Sequence, residues 1–311
     1  MEMRGNGCQP ALWGAGRLIR AMNSEGKNLR VAILSHGSCE TLIEELSTIG
    51  SVAVVGVFVE TVITPRSYSL KEQLERSIRY DGYAATAGRL FRRLFGGRAK
   101  KPAGQGPADN SSRPGLEALT ARLGIPLHYV ANYHSDDSIA LFRAANADLG
   151  IVWGTNILKE KVFKVPRLGS INIHQGLAPY YRGGPPVFWE LFNGEPEVGI
   201  TVHFVESKVD TGAIVTQEKA PLAYDYSYGL DYQAFIDDFR ARIASNCVRL
   251  MSQAVRMIAD GSASPLPQDI SLGKRYRLPV KEEKDEMKRI LLRRAAEAGL
   301  DTGRIRKLKR S

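Results

Sequence analysis

An apolar run, ADLGIVW at 147–153, is followed within twenty residues by GSINIHQGLAPYYRGGPP, which places Asn172 and His174 two positions apart. On a strand, alternate residues share a face, so these two side chains project together and Ile173 points the other way. An amide can donate a hydrogen bond to an oxygen that gains negative charge. An imidazole, with an ordinary pKa of about 6.5, can give or take a proton near neutrality. Asp210, in KVDTG, adds a carboxylate able to orient an imidazole and favour its charged form. Asn172 and His174 are therefore candidate functional residues, with Asp210 a carboxylate that could serve them. They are expected to titrate as a unit. His128, His134 and His203 lack such company and are read as structural or surface residues. No histidine pair has metal-ligand spacing and Glu-x-x-His does not occur, so no metal is expected.

These residues need a frame to hold them. LRVAILS (29–35) and VAVVGVFV (52–59) read as buried strands, with a helix through TLIEELSTI between them that Ser38 would cap. Continuous apolar strands separated by helices indicate a parallel sheet covered on both faces. Further strands are expected at IPLHYV, ADLGIVW and GSINIH, alternating with helices at LEALTARLG and DSIALFRAAN. PVFWELFNG should be a short helix with Phe188 and Trp189 in the core. VGITVHFVES (198–207) reads as an alternating strand, AIVTQEKAPL as another, and residues 232–258 as one long helix with an apolar stripe from Tyr232 to Ile258.

The segment PRLGSINIHQGLAPYYRGGPP, followed by NGEPEVGITVHFVESKVDTGAIVTQ, resembles the catalytic core of the folate-dependent formyltransferases. That superfamily includes methionyl-tRNA formyltransferase, glycinamide ribonucleotide transformylase and the sugar N-formyltransferases. The resemblance rests on the ordered set Asn172, His174, Leu177, Pro179, Arg182-Gly183 and Asp210-Thr211-Gly212. It is densest over 147–218 and weaker over 29–268. It implies an α/β fold with a Rossmann-like, doubly wound, mostly parallel sheet, a helical insertion and a helical C-terminal tail. It also implies Asn172, His174 and Asp210 as the catalytic residues for attack on a carbonyl-type carbon with proton transfer, N10-formyltetrahydrofolate as formyl donor and a primary amine as acceptor. The folate pocket is then expected at Trp153, Gly154, Thr155, Asn156 and Ile157, with Glu206 and Val209 from the 206–210 loop, because open α/β sheets bind ligands at the carboxyl ends of their strands. Gly176, Tyr181 and Arg182 are the candidate acceptor-binding residues. Gly176-Leu177-Ala178-Pro179 stands where the family often has Ser-Leu-Leu-Pro, and SHGSCETL lacks the richer glycine loop of the glycinamide ribonucleotide enzyme.

The expected organisation is a flexible leader at 1–28, a catalytic domain at 29–268 with a basic insertion at 61–113, and a basic helical tail at 269–311. The net charge of +10 resides in two of these parts: residues 61–101 carry net +7 and residues 281–311 net +5. An anionic partner is consistent with that distribution. The favoured acceptor is a small anionic amine, a nucleotide-linked amino sugar, with the insertion offering Tyr and Arg to the nucleotide. A methionyl-tRNA formyltransferase-like enzyme, a glycinamide ribonucleotide transformylase-like enzyme and an inactive folate-binding relative are the alternatives. Nucleic acid is the lesser partner reading. GRLFRRLF at 88–95 could rest on an acidic membrane surface. Cys8, Cys39 and Cys247 are too few and scattered for a disulfide framework, and the longest apolar run falls far short of the roughly 20 residues that span a bilayer. The expected setting is the cytoplasm.

Overall fold

The computed structural model describes residues 28–61, 69–83, 85, 86 and 113–308. The leader up to Lys27 and most of the insertion, including GRLFRRLF, lie outside the described residues.

The apolar runs form the expected sheet. Strands β1 (Leu29–Ser35), β2 (Val52–Glu60), β3 (Leu127–Val130), β4 (Leu149–Trp153) and β5 (Ser170–His174) run parallel to one another, and β7 (Glu197–Phe204) and β8 (Ile214–Pro221) close one side antiparallel. The order is β3-β2-β1-β4-β5-β7-β8. The chain leaves β1 towards β3, then returns to β4 on the other flank, so the topological switch lies between β1 and β4. Period-two packing divides β1 between two cores. Val31 and Ile33 join a large cluster with α1 (Glu40–Ser47) and α8 (Ala244–Ala259), while Ala32 and Leu34 join a smaller one with Phe142, Val162 and Phe163. Such division explains why β1 is apolar throughout rather than alternating.

The remaining helices are α2 (Leu70–Asp81), α3 (Arg113–Leu123), α4 (Asp136–Ala144), α5 (Glu160–Phe163), α6 (Phe188–Asn193), α7 (Tyr232–Arg242), α9 (Lys281–Glu297) and α10 (Thr302–Lys307). Three local expectations are corrected. The long helix is two, α7 and α8, because the backbone loosens at Ile243 (ψ 3°), although the i to i−4 bonds Ile243 N to Phe239 O and Cys247 N to Ile243 O run across it. Ser38 does not cap α1: its φ is 44°, Cys39 precedes the helix, and the Ser38 carbonyl instead accepts from Trp153 Nε1 at 3.3 Å. Strand β7 does not alternate. It lies between β5 and β8 and is buried from Val198 to His203, polar Thr201 and His203 included.

The tail is more than a helix. Lys274–Tyr276 forms strand β9, which pairs in parallel with β6 (Tyr181–Gly183) in a separate two-stranded sheet. Helix α9 then turns an apolar stripe inward, with Met287, Leu291 and Ala295 fully buried and Ile290 nearly so. A buried Met or Leu contributes about 1.5–3 kcal/mol, whereas a surface pair such as Arg277–Glu283 contributes about 0–1 kcal/mol. Apolar burial therefore holds the tail on the body. Helix α9 also meets α2, where Lys284 Nζ donates to the Tyr80 carbonyl at 2.8 Å. Among the described residues no helix is long and apolar enough to cross a membrane.

The loop after β5 rests directly on β7. A Cβ at Gly199 would lie 2.3 Å from Leu177 Cα and 2.4 Å from its nitrogen. Backbone cannot yield as a flexible side chain can, so Gly199→Ala should cost about 1–3 kcal/mol in a chemical-denaturation experiment. An unchanged midpoint would show that the loop does not depend on this contact.

Candidate active site

Sheet register brings the catalytic candidates together. Asn172 and His174 share a face of β5, and Asn172 sits directly opposite His203 on antiparallel β7, so His203 joins that face. Asp210 lies on the β7–β8 loop with φ 52°, a left-handed conformation costly for a non-glycine residue and often found where geometry serves function. Its carboxylate stands between the two imidazoles. Oδ2 is 3.5 Å from His174 Nδ1, and Oδ1 is 3.4 Å from His203 Nε2. Oδ2 also accepts the Gly183 N–H at 2.8 Å, which ties the Gly-Pro loop to the carboxylate.

Hydrogen-bond partners fix which ring nitrogens carry protons. His174 Nε2 lies 2.8 Å from the Tyr181 carbonyl, and a carbonyl only accepts, so Nε2 is the donor. Nδ1 is left facing Asp210. His203 Nδ1 likewise donates to the Phe204 carbonyl at 2.7 Å. Its Nε2 faces both Asp210 and, at 3.4 Å, Asn172 Nδ2. Burial holds the His174 pKa below its ordinary value, and the charge of Asp210 opposes that shift without cancelling it. Burial alone would raise Asp210, but its bond to His203, the two imidazoles and the Gly183 N–H bring it down to about 2. At neutral pH the site thus holds an anionic carboxylate beside a neutral imidazole. A proton taken up at His174 Nδ1 would form an imidazolium already paired with Asp210.

The Thr201 hydroxyl secures the loop that carries Leu177 to Pro179. Thr201 Oγ1 donates to the Gly176 carbonyl at 2.7 Å and accepts the Ala178 N–H at 3.3 Å, while Gln217 Nε2 reaches both Thr201 Oγ1 and the Ala178 carbonyl.

Two clefts flank this centre. The larger, about 570 Å³, is bounded by Thr155, Asn156, Ile157, Glu206 and Val209 and opens onto Asn172, His203 and Asp210. The smaller, about 170 Å³, is bounded by His174, Tyr181, Gly183, Glu190 and Tyr276. Five of the seven expected folate residues line the larger cleft. Trp153 and Gly154 do not: Trp153 bonds to Ser38, and Gly154 makes the turn with φ 67°.

The expected acceptor residues are used differently. Arg182 is buried and its guanidinium is spent on the carbonyls of Pro179, Ile270 and Gly273, so it braces the loop against the tail. Gly176 is a seat for the ring, since a Cβ there would lie 2.3 Å from His174 Nε2. Tyr181 lines the smaller cleft, stacks on Tyr276 at 5.1 Å between centroids, and donates its hydroxyl to Glu195. His203 and Thr201 escaped the sequence reading. Both sit on a strand whose partner register is invisible until β5 and β7 are paired.

Replacing Asp210 by Asn removes the charge that lifts His174 while leaving burial in place. The His174 midpoint, followed by ring ¹⁵N NMR, should fall further in Asp210→Asn. A rise would mean that the carboxylate is not what opposes burial. Asp210 itself contributes stability above its ordinary pKa, near about 4, and loses it as pH falls towards about 2. The acid limb of the unfolding curve should therefore flatten in the same variant.

The comparisons with known proteins agree with this geometry. Residues 97–238, which include Asn172, His174, His203 and Asp210, match the formyl transferase family. A methionyl-tRNA formyltransferase of Chlorobium chlorochromatii is 32% identical over 160 residues, covering 51% of this chain and 48% of the relative. One from Parabacteroides distasonis is 34% identical over 154 residues, covering 50% and 45%. The chain thus spans about half the length of the curated relatives it matches. Among solved structures, the phosphoribosylglycinamide formyltransferase of Anaplasma phagocytophilum aligns with a TM-score of 0.50 at 19% identity, over 81% of this chain and all of that one, a likeness of fold. The motif residues, gathered in the order and register described above, thus lie within the part of the chain that matches the formyl transferase family.

Proposed function

We propose that the protein is an N-formyltransferase that moves a formyl group from N10-formyltetrahydrofolate to a primary amine. The observation that carries this is the placement of Asn172, His174 and Asp210 side by side between the two clefts. Asn172 and Asp210 face the larger cleft and His174 the smaller, so a donor on one side and an acceptor on the other would meet at these side chains. The larger cleft suits a pterin. It sets the apolar side chains of Val152, Ile157, Leu158, Val205 and Val209 among polar groups, of which Asn156 and Glu206 could fix orientation. When bound, the folate supplies the formyl carbon. Asn172 Nδ2, whose contact to His203 is long at 3.4 Å, is free to donate to the formyl oxygen as it gains charge. Neutral His174 takes the proton that the amine loses and passes it on, while Asp210 holds the resulting imidazolium.

The acceptor assignment from sequence alone is revised. The amino sugar stood first there, but the sequence relatives are methionyl-tRNA formyltransferases. They favour the α-amine of an aminoacylated tRNA, and the surplus of positive charge in the insertion and tail is consistent with a polyanion. The amino sugar becomes the second reading, supported by one observation: the smaller cleft is walled by the stacked Tyr181 and Tyr276, which suit a sugar ring. A cytoplasmic setting belongs with either reading.

The test is transfer from N10-formyltetrahydrofolate to initiator methionyl-tRNA, a nucleotide-linked 4-amino sugar and glycinamide ribonucleotide, each offered to the purified chain. Transfer to tRNA is the expected result, and transfer to the sugar alone would reverse the order. Asn172→Ala and His174→Ala should each lower turnover by about 10²–10³-fold with donor binding changed only a few-fold. Near-normal rates in both variants would remove the assigned chemistry.

A further inference from the structure

Glu190 is a carboxyl for which the arrangement above has no use. It follows the Gly183–Pro186 loop on α6, is 3% exposed, and lines the smaller cleft together with His174, Tyr181 and Tyr276. Its neighbours on α6, Phe188, Trp189 and Leu191, are core residues. Burying a carboxyl in such company is unfavourable unless something offsets it. Here burial comes first in lifting its pKa, and Glu195 from the next turn adds to the lift. The only opposing influences are the main-chain N–H groups of Val187 and Glu190 itself, and the result is about 7. Among the described residues no cation pairs with it: Arg182, on the same cleft, is committed to three carbonyls.

We propose that Glu190 receives the acceptor in the smaller cleft: its carboxylate pairs with the incoming ammonium and takes one proton from it, so that the free amine reaches the formyl carbon beside His174. This role rests on the formyl-transfer reading. The step balances. One N–H bond breaks and one carboxyl O–H bond forms, giving neutral amine and neutral acid, with no electron transferred. The second amine proton leaves through His174 after attack, and Glu190 returns its proton to water when the amide departs. Only an unprotonated amine has the lone pair needed for attack, and primary amines enter as ammonium ions at neutral pH. A carboxyl of ordinary acidity would hold an ammonium without deprotonating it. A buried one is better matched to the task.

The test separates this role from a purely structural one, because Glu190→Gln keeps a side-chain oxygen for the Val187 N–H. In full-length protein labelled with [δ-¹³C]glutamate, the resonance missing from Glu190→Gln is Glu190. Its titration midpoint should fall when ethanolamine is added and stay put with ethylene glycol. A midpoint unmoved by ethanolamine overturns the proposal whatever the turnover. In parallel, single-turnover transfer is measured to ethanolamine, which arrives charged, and to hydroxylamine, which is largely free base at neutral pH. Glu190→Gln should lose about 100-fold with ethanolamine and stay within about threefold with hydroxylamine. Equal loss with both, or loss with neither, removes Glu190 from the reaction and leaves formyl transfer standing. Wild-type protein that formylates neither amine counts against formyl transfer itself, while the NMR titration still decides whether an ammonium sits at Glu190.

Discussion

The buried carboxylate of Asp210 is the constraint around which the rest is arranged. A carboxylate this enclosed persists as an anion only if its surroundings replace the water it has lost, and here the Gly183 N–H donates to it while two imidazoles flank it, each able to become a charged partner on taking up a proton. Each of the three comes from a different element. His174 comes from β5, His203 from β7, and the Gly183 N–H from the Gly-Pro loop. Asp210 therefore joins the sheet to the loop that borders the acceptor side. The antiparallel pairing of β5 with β7 is what makes the arrangement possible, since it sets His203 across from Asn172 on a shared face. A parallel β7 in another register would present different side chains to the carboxylate.

Much of this was legible in the sequence. Unbroken apolar runs separated by helices announced a doubly covered sheet, and β1 obeys it by sending Val31 and Ile33 to one core and Ala32 and Leu34 to the other. Asn172 and His174 were legible as well, because two polar side chains at period two after apolar strands have little packing rationale. Other features depend on contacts distant in the chain. His203 reads as an ordinary strand residue until its partner strand is known. Arg182 reads as an anion binder, and only the carbonyls of Ile270 and Gly273, 88 and 91 residues on, show how it is used. Ser38 reads as a helix cap, yet it sits at φ 44° with its carbonyl engaged by Trp153. In each case local sequence names a capacity and tertiary pairing decides its use.

The two clefts differ in construction. The larger is built from strand ends and the loops that follow them, where a parallel sheet leaves main-chain groups open at its carboxyl edge. The smaller is built from loop and tail, with aromatic walls and a buried acid. The segments that line the two clefts can thus vary separately, provided the larger keeps Asn172 and Asp210 and the smaller keeps His174.

The parallel pairing of β6 with β9 has a consequence for where this fold can be divided. A boundary near Gln268 looks natural in the sequence, because a Pro-rich segment stands there. Cutting at that point would strip β6 of its partner strand, deprive the Arg182 guanidinium of two of its three carbonyls, and open the cleft wall at Tyr276. The piece left behind would retain the larger cleft nearly whole and lose a wall of the smaller. Segments exchanged between relatives of this chain can therefore keep the smaller cleft intact only if the crossover point falls beyond Tyr276.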